Sequence, residues 1–144
     1  MSITFHKEEI EFDLPGEGKL NTWLLDIVRK EKKTITQLSY IFCSDDYLLE
    51  INKTYLNHDY YTDIITFPYK QGHEIESDIF ISVDRVRENA MEYNTTFESE
   101  LLRVVAHGLL HMAGYGDKTE EDQDRMTEME DQCLKMWNNS SKSI

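Results

Sequence analysis

The 144 residues contain only two cysteines, Cys43 and Cys133, far apart and with no CxxC pair. That argues against a disulfide framework and for two reduced, buried thiols in a reducing compartment. No apolar stretch approaches the roughly 20 residues of a membrane span, and no basic-then-apolar leader opens the chain. The expectation is a soluble, cytoplasmic protein with no membrane partner. Positive charge is scarce as well, with 15 Lys and Arg against 28 Asp and Glu for a net charge of −13. A broad basic surface is therefore missing, which works against polyanion binding because nucleic-acid affinity comes largely from phosphate neutralisation; DNA is not an expected partner. A local basic cleft stays open, since much of the acid falls after Asp117. Internal repeats, low-complexity tracts and linkers are absent.

What remains is 40% hydrophobic and 11% aromatic, enough for one domain spanning 1–144 with a real core. The short alternating runs Ile3-Thr-Phe5 and Ile10-Glu-Phe12 predict an edge strand or hairpin. Leu20, Trp23, Leu24, Ile27 and Val28 stand at helical spacing between Lys19 and Lys30. A strand is expected at 38–43, then a helix from Ser44 to about Tyr55 with Leu48, Leu49 and Ile51 inward. A second strand, 63–68, is expected to end at Pro68, and 69–77 to be a loop. The nearly all-apolar 78–82 reads as a central strand, followed by a helix to about Tyr93.

Thr95 and Glu98 stand in capping-box register before a helix that carries apolar residues around most of its circumference. Thr119 and Asp122 open a last helix with Met126, Met129, Cys133 and Met136 on one face, and 138–144 reads as a frayed tail. The sum is an α+β domain of about four strands in a mixed sheet and about five helices, built around a buried central helix.

That helix bears His107 and His111, four residues apart and so on one face, within reach of one metal ion. Gly114 suits the left-handed residue that ends a helix, and its turn can return Asp117 to the same ion. Two nitrogens and a carboxylate make a three-ligand set, which for zinc leaves a position open to water. Both imidazoles could instead simply hydrogen-bond neighbouring elements. The spacing His-x-x-x-His-x-x-Gly-x-x-Asp also belongs to extended metalloproteases, but there a glutamate general base follows the first histidine, and here that residue is Gly108.

The stretch from His107 to Asp117 resembles the signature of the bacterial YbeY endoribonucleases, approximately His-Gly-x-Leu-His-Leu-x-Gly-Tyr-Asp-His. A second stretch, Asn52 to Pro68, is similar to that family's Asn-x-x-Tyr-Arg-x-x-Asp-x-Pro-Thr-Asp-Val-Leu-Ser-Phe-Pro, and Ser77-Asp78-Ile79 resembles its Gly-Asp-Ile strand. The resemblance implies one zinc ion per chain on His107, His111 and Asp117. It further implies cleavage of single-stranded RNA in maturation of the 3′ end of small-subunit ribosomal RNA and in ribosome quality control, with ribosomal RNA and small-subunit proteins as partners.

Two departures stand out. Asp117 replaces a third histidine, and Leu56 replaces an arginine expected to contact RNA; Arg103, one turn before His107, is the substitute candidate for phosphate. No general base is identifiable, so catalysis falls to water at the ion. Asp63 and Asp78 read as strand-end residues or as residues that orient an imidazole rather than bind the ion, and His58 as a loop histidine. The alternatives are a zinc-stabilised, non-catalytic assembly factor whose acidic surface suits basic ribosomal proteins, and a degenerate metallopeptidase.

Overall fold

The computed structural model describes residues 2–141. Four strands and five helices follow in the order β1 (Ser2–Glu8), α1 (Glu17–Lys30), β2 (Thr34–Cys43), α2 (Asp45–Leu56), β3 (Ile64–Lys70), β4 (Glu74–Ser82), α3 (Val83–Glu92), α4 (Phe97–Met112) and α5 (Glu120–Ser141). The sheet order is β1-β2-β4-β3, with β1, β2 and β4 parallel and β3 antiparallel at the edge. The expected α+β class, mixed sheet and interior 78–82 strand are all present.

Five local expectations need correction. Ile10-Glu-Phe12 is not a strand: Glu9 turns the chain off at φ 56°, and Phe12 drops into the core against Phe42 and Phe97. Nor does Pro68 end β3. It sits inside an edge strand opposite Ser77, where a missing N–H is tolerated, and a register shift follows before Lys70. The stretch 69–77 is not one loop but the close of a β3–β4 hairpin around Gly72, whose φ is +93°. The cap of α4 is Thr96 rather than Thr95; its hydroxyl accepts from the Ser99 N–H. Ser44 and Thr119 cap α2 and α5 as expected, accepting from Tyr47 N and Asp122 N. Helix α5 continues through 138–141, which the sequence reads as tail; 142–144 lie outside the described residues.

Successive side chains alternate across the sheet, so Leu38, Tyr40 and Phe42 of β2 join Ile79 and Ile81 of β4 on the face that α4 covers with α1 and α5. A smaller cluster of Cys43, Leu48 and Ile65 lies beneath α2 on the other face. Ten of the sixteen α4 residues are buried. Its polar groups are met internally: Tyr40 Oη donates to the Val105 carbonyl at 2.9 Å, and the Gly72 N–H caps the helix end by donating to Met112 O at 2.8 Å. Both cysteines are buried and free, and burial pushes each thiol up to about 12. Among the described residues no helix is long and apolar enough to cross a membrane.

Candidate active site

Helix α4 can sit close to the sheet because Gly108 has no side chain; a Cβ there would lie 3.1 Å from Ile64 Cδ1 and 3.2 Å from Ile79. With that side resting on β3 and β4, the neighbouring His107 is turned to the helix edge, where α5 passes. Its Nδ1 is 2.8 Å from Glu130 Oε2 and its Nε2 is 3.5 Å from Asp117 Oδ2. Asp117 reaches this point through the turn after α4: Gly114 adopts φ +114°, Gly114 N and Tyr115 N donate to His111 O and Leu110 O, and Gln123 Nε2 holds the Asp117 carbonyl at 3.0 Å.

These groups line a cleft of about 410 Å³ with Thr62, Asp63, Ile64, Glu100, Arg103 and Val104. A larger hollow of about 550 Å³, between α1 and α5 beside Trp23 and Met136, lies apart from the histidine helix. The electrostatics of the cleft are lopsided, with four carboxylates against one guanidinium. Burial pushes the Asp63 carboxyl up while His107 opposes it. The Glu130 hydrogen bond holds the His107 imidazole above its ordinary value, against burial.

Burial likewise raises Glu100, with Asp63 and Glu130 acting in the same direction and Arg103 against. A raised folded-state value means that the protonated group's contribution is complete below the ordinary glutamate range and is lost as pH rises through the raised value. At neutral pH a charged Glu100 therefore destabilises the fold. Glu100→Gln is expected to melt above the parent at neutral pH in chelator-treated protein, the gap closing toward about pH 4. Thermal melts across that range check this, and a gap independent of pH would show that Glu100 is not the group responsible.

His111 follows one turn after His107, and its Nδ1 is buried with no hydrogen-bond partner, alone in this among the described residues' side-chain nitrogens and oxygens. Buried polar atoms are nearly always paired, so an orphan beside another imidazole fits a ligand nitrogen or a ring whose partner is an ion. The 3.5 Å between His107 Nε2 and Asp117 Oδ2 is close to the roughly 3.4 Å separating two ligands of a tetrahedral zinc with bonds of about 2.0–2.1 Å. Among the described residues no three His, Cys, Asp or Glu side chains are gathered so that they could hold an ion; His107 and Asp117 line the cleft together, and His111 is not among its lining residues.

The remaining residues singled out in the sequence lie as follows. The Arg103 guanidinium is turned to α5, donating to Glu130 Oε1 at 3.0 Å and Asp131 Oδ1 at 2.6 Å. Asp63 lines the cleft but meets Asn89 Nδ2 at 3.5 Å rather than an imidazole, and Asp78 accepts from Tyr69 Oη. The carboxylate that holds an imidazole is Glu130, which sequence reasoning missed. His58 is exposed and stacked on Tyr60, while Leu56 ends α2 at 39% exposure. His6 and His73 are exposed.

An imidazole fixed through one nitrogen by a carboxylate and facing another carboxylate with the other is the arrangement seen in metal-dependent hydrolases. The model of the family Endoribonuclease YbeY matches residues 2–138. An Endoribonuclease YbeY of Cytophaga hutchinsonii is 49% identical over 136 residues, 94% of this chain and 95% of that one. Its counterpart in Bacteroides thetaiotaomicron is 39% identical, over 94% and 99%. A solution structure from Thermotoga maritima superimposes with a TM-score of 0.67 at 30% identity, covering 96% of this chain and 92% of that one. The chain belongs to the YbeY endoribonuclease family.

Proposed function

We propose that this protein is a zinc-dependent endoribonuclease that cuts single-stranded RNA in the cytoplasm during ribosomal RNA maturation, at the 3′ end of small-subunit RNA, in contact with small-subunit proteins. The observation that carries the metal reading is the pairing of His107 Nε2 with Asp117 beside the orphaned His111 nitrogen. His107, His111 and Asp117 would hold the ion. Zinc bound there would supply Lewis acidity toward a phosphodiester and lower the pKa of water.

The chain's own residues do the rest. Glu130 orients the His107 ring, and the walls formed by Thr62, Ile64 and Val104 narrow the approach. Asp63 and Glu100 line the same cleft, and burial raises both carboxyls above their ordinary values. Asp63, Glu100, Asp117 and Glu130 leave the cleft hostile to an anion, and the only guanidinium lining it among the described residues is already bound by Glu130 and Asp131. A divalent cation is thus needed for RNA to enter as well as to react.

The test is direct. Purified protein is incubated with single- and double-stranded RNA, with zinc and with chelator. Zinc-restored cleavage of single strands, with RNA binding also weakened by chelator, is expected. Cleavage that persists without metal overturns the reading; zinc binding without cleavage of any RNA favours the non-catalytic assembly factor.

A further inference from the structure

The sequence offers Arg103 as a phosphate contact; its surroundings indicate a different task. Its guanidinium spans two consecutive carboxylates of α5, Glu130 at 3.0 Å and Asp131 at 2.6 Å. Glu130 is the deeper of the two, its side chain 9% exposed against 60% for Asp131. Its two oxygens are divided, Oε1 taking the Arg103 N–H and Oε2 facing His107 Nδ1. A buried carboxylate whose one oxygen accepts from a guanidinium that a second carboxylate also holds has less freedom to rotate, so its other oxygen is kept toward His107.

We propose that Arg103 and Glu130 are positioning residues that keep the His107 proton on Nδ1 and leave its Nε2 lone pair free for an ion shared with Asp117, with Asp131 steadying the fork. This deepens the proposed function, resting on His107 as a ligand, and adds that α5 is part of the site. Neutral imidazole carries one proton on either nitrogen, and the nitrogen whose proton meets a carboxylate leaves the other free to bind. If Glu130 were lost, the ring could flip or change tautomer, and part of the binding energy would go to restoring it.

An arginine that neutralises phosphate and one that braces a carboxylate behave differently when replaced. For Arg103→Met and Glu130→Gln, zinc affinity measured against a chromophoric chelator is expected to fall about 10- to 100-fold. The salt slope of RNA binding is expected to stay unchanged, whereas loss of a phosphate contact would lower it by about 0.7. Arg103→Lys keeps the charge without the fork and should give an intermediate loss. Nitrogen-15 NMR of the metal-free protein in alkaline buffer, where the ring is neutral, should report the Nδ1–H tautomer at His107 in the parent and a mixture in Arg103→Met.

An Nε2–H tautomer in the parent, or unchanged zinc affinity in both substitutions, overturns the proposal. So does a drop in melting temperature with tautomer and affinity intact, since that is what a purely structural clasp would give. Arg103 is only partly buried, so its variants keep the test available if Glu130→Gln does not fold. Because the tautomer is read without metal, a parent that binds no zinc would end the zinc assignment while still deciding the role of Arg103.

Discussion

Replacing His111 with alanine is expected to remove zinc binding and RNA cleavage together while leaving the metal-free fold close to its parent. His111 Nδ1 has no partner, so the substitution breaks no hydrogen bond there and removes a buried polar atom whose unmet state opposes folding by about 1–3 kcal/mol. The lost ring packing acts the other way, and the two nearly offset. The metal-bound protein behaves differently. An ion that binds only the folded chain at 100 times its dissociation constant adds about 2.7 kcal/mol, or roughly 5–10 °C in a domain of this size.

The parent should show that zinc-dependent rise in a melting scan, and His111→Ala should show none. Cleavage should fall by more than the roughly 100-fold that outer-shell changes produce. A variant that still melts higher with zinc by the same margin, or still cuts RNA, would sink the assignment of His111. The paired readout separates a lost ligand from a lost fold, because a collapsed variant would already melt low in chelator.

The two ends of this site were unequally legible in the sequence. His107 and His111 stand out because one helix places them on one face, and apolar neighbours such as Val105 and Leu109 announce that helix by their spacing. Gly114 is legible for a similar reason: its positive φ is a local requirement that glycine meets most easily. Glu130 is not. It lies 23 residues beyond His107 in a helix crowded with Glu120, Glu121, Asp122, Asp124, Glu128 and Asp131, and only packing of α5 against α4 distinguishes it. Arg103 was visible as a charge near the histidines, yet its partners belong to that same helix. Among the strands, β1 reads as an edge strand or half of a hairpin because alternation reveals a buried face without naming a partner; it stands at the sheet edge, and its parallel pairing with β2 is decided by α1 crossing between them.

Gly108→Glu, which would complete the metallopeptidase motif, is expected to yield protein that is insoluble or melts more than about 10 °C below the parent. Position 108 faces the sheet rather than the cleft, where a first side-chain carbon already comes within 3.1 Å of Ile64 Cδ1 and 3.2 Å of Ile79 Cδ1 and Cγ2. Overfilling a packed core costs about 1–3 kcal/mol, and carrying a carboxylate into an isoleucine contact adds several more. Replacing glycine in a helix returns only about 1 kcal/mol. Set against a total stability of about 5–15 kcal/mol, that balance is close to unfolding. Gly108→Ala is the control: its methyl meets only the ends of flexible isoleucines, and the helix gain offsets the crowding, leaving the melting temperature within about 4 °C. If Gly108→Glu instead folds as well as Gly108→Ala, α4 does not rest on β3 and β4 through this glycine. If it does not, the step from this centre to peptide hydrolysis is closed by packing, because the residue a peptidase needs as its base would have to stand where the helix touches the sheet.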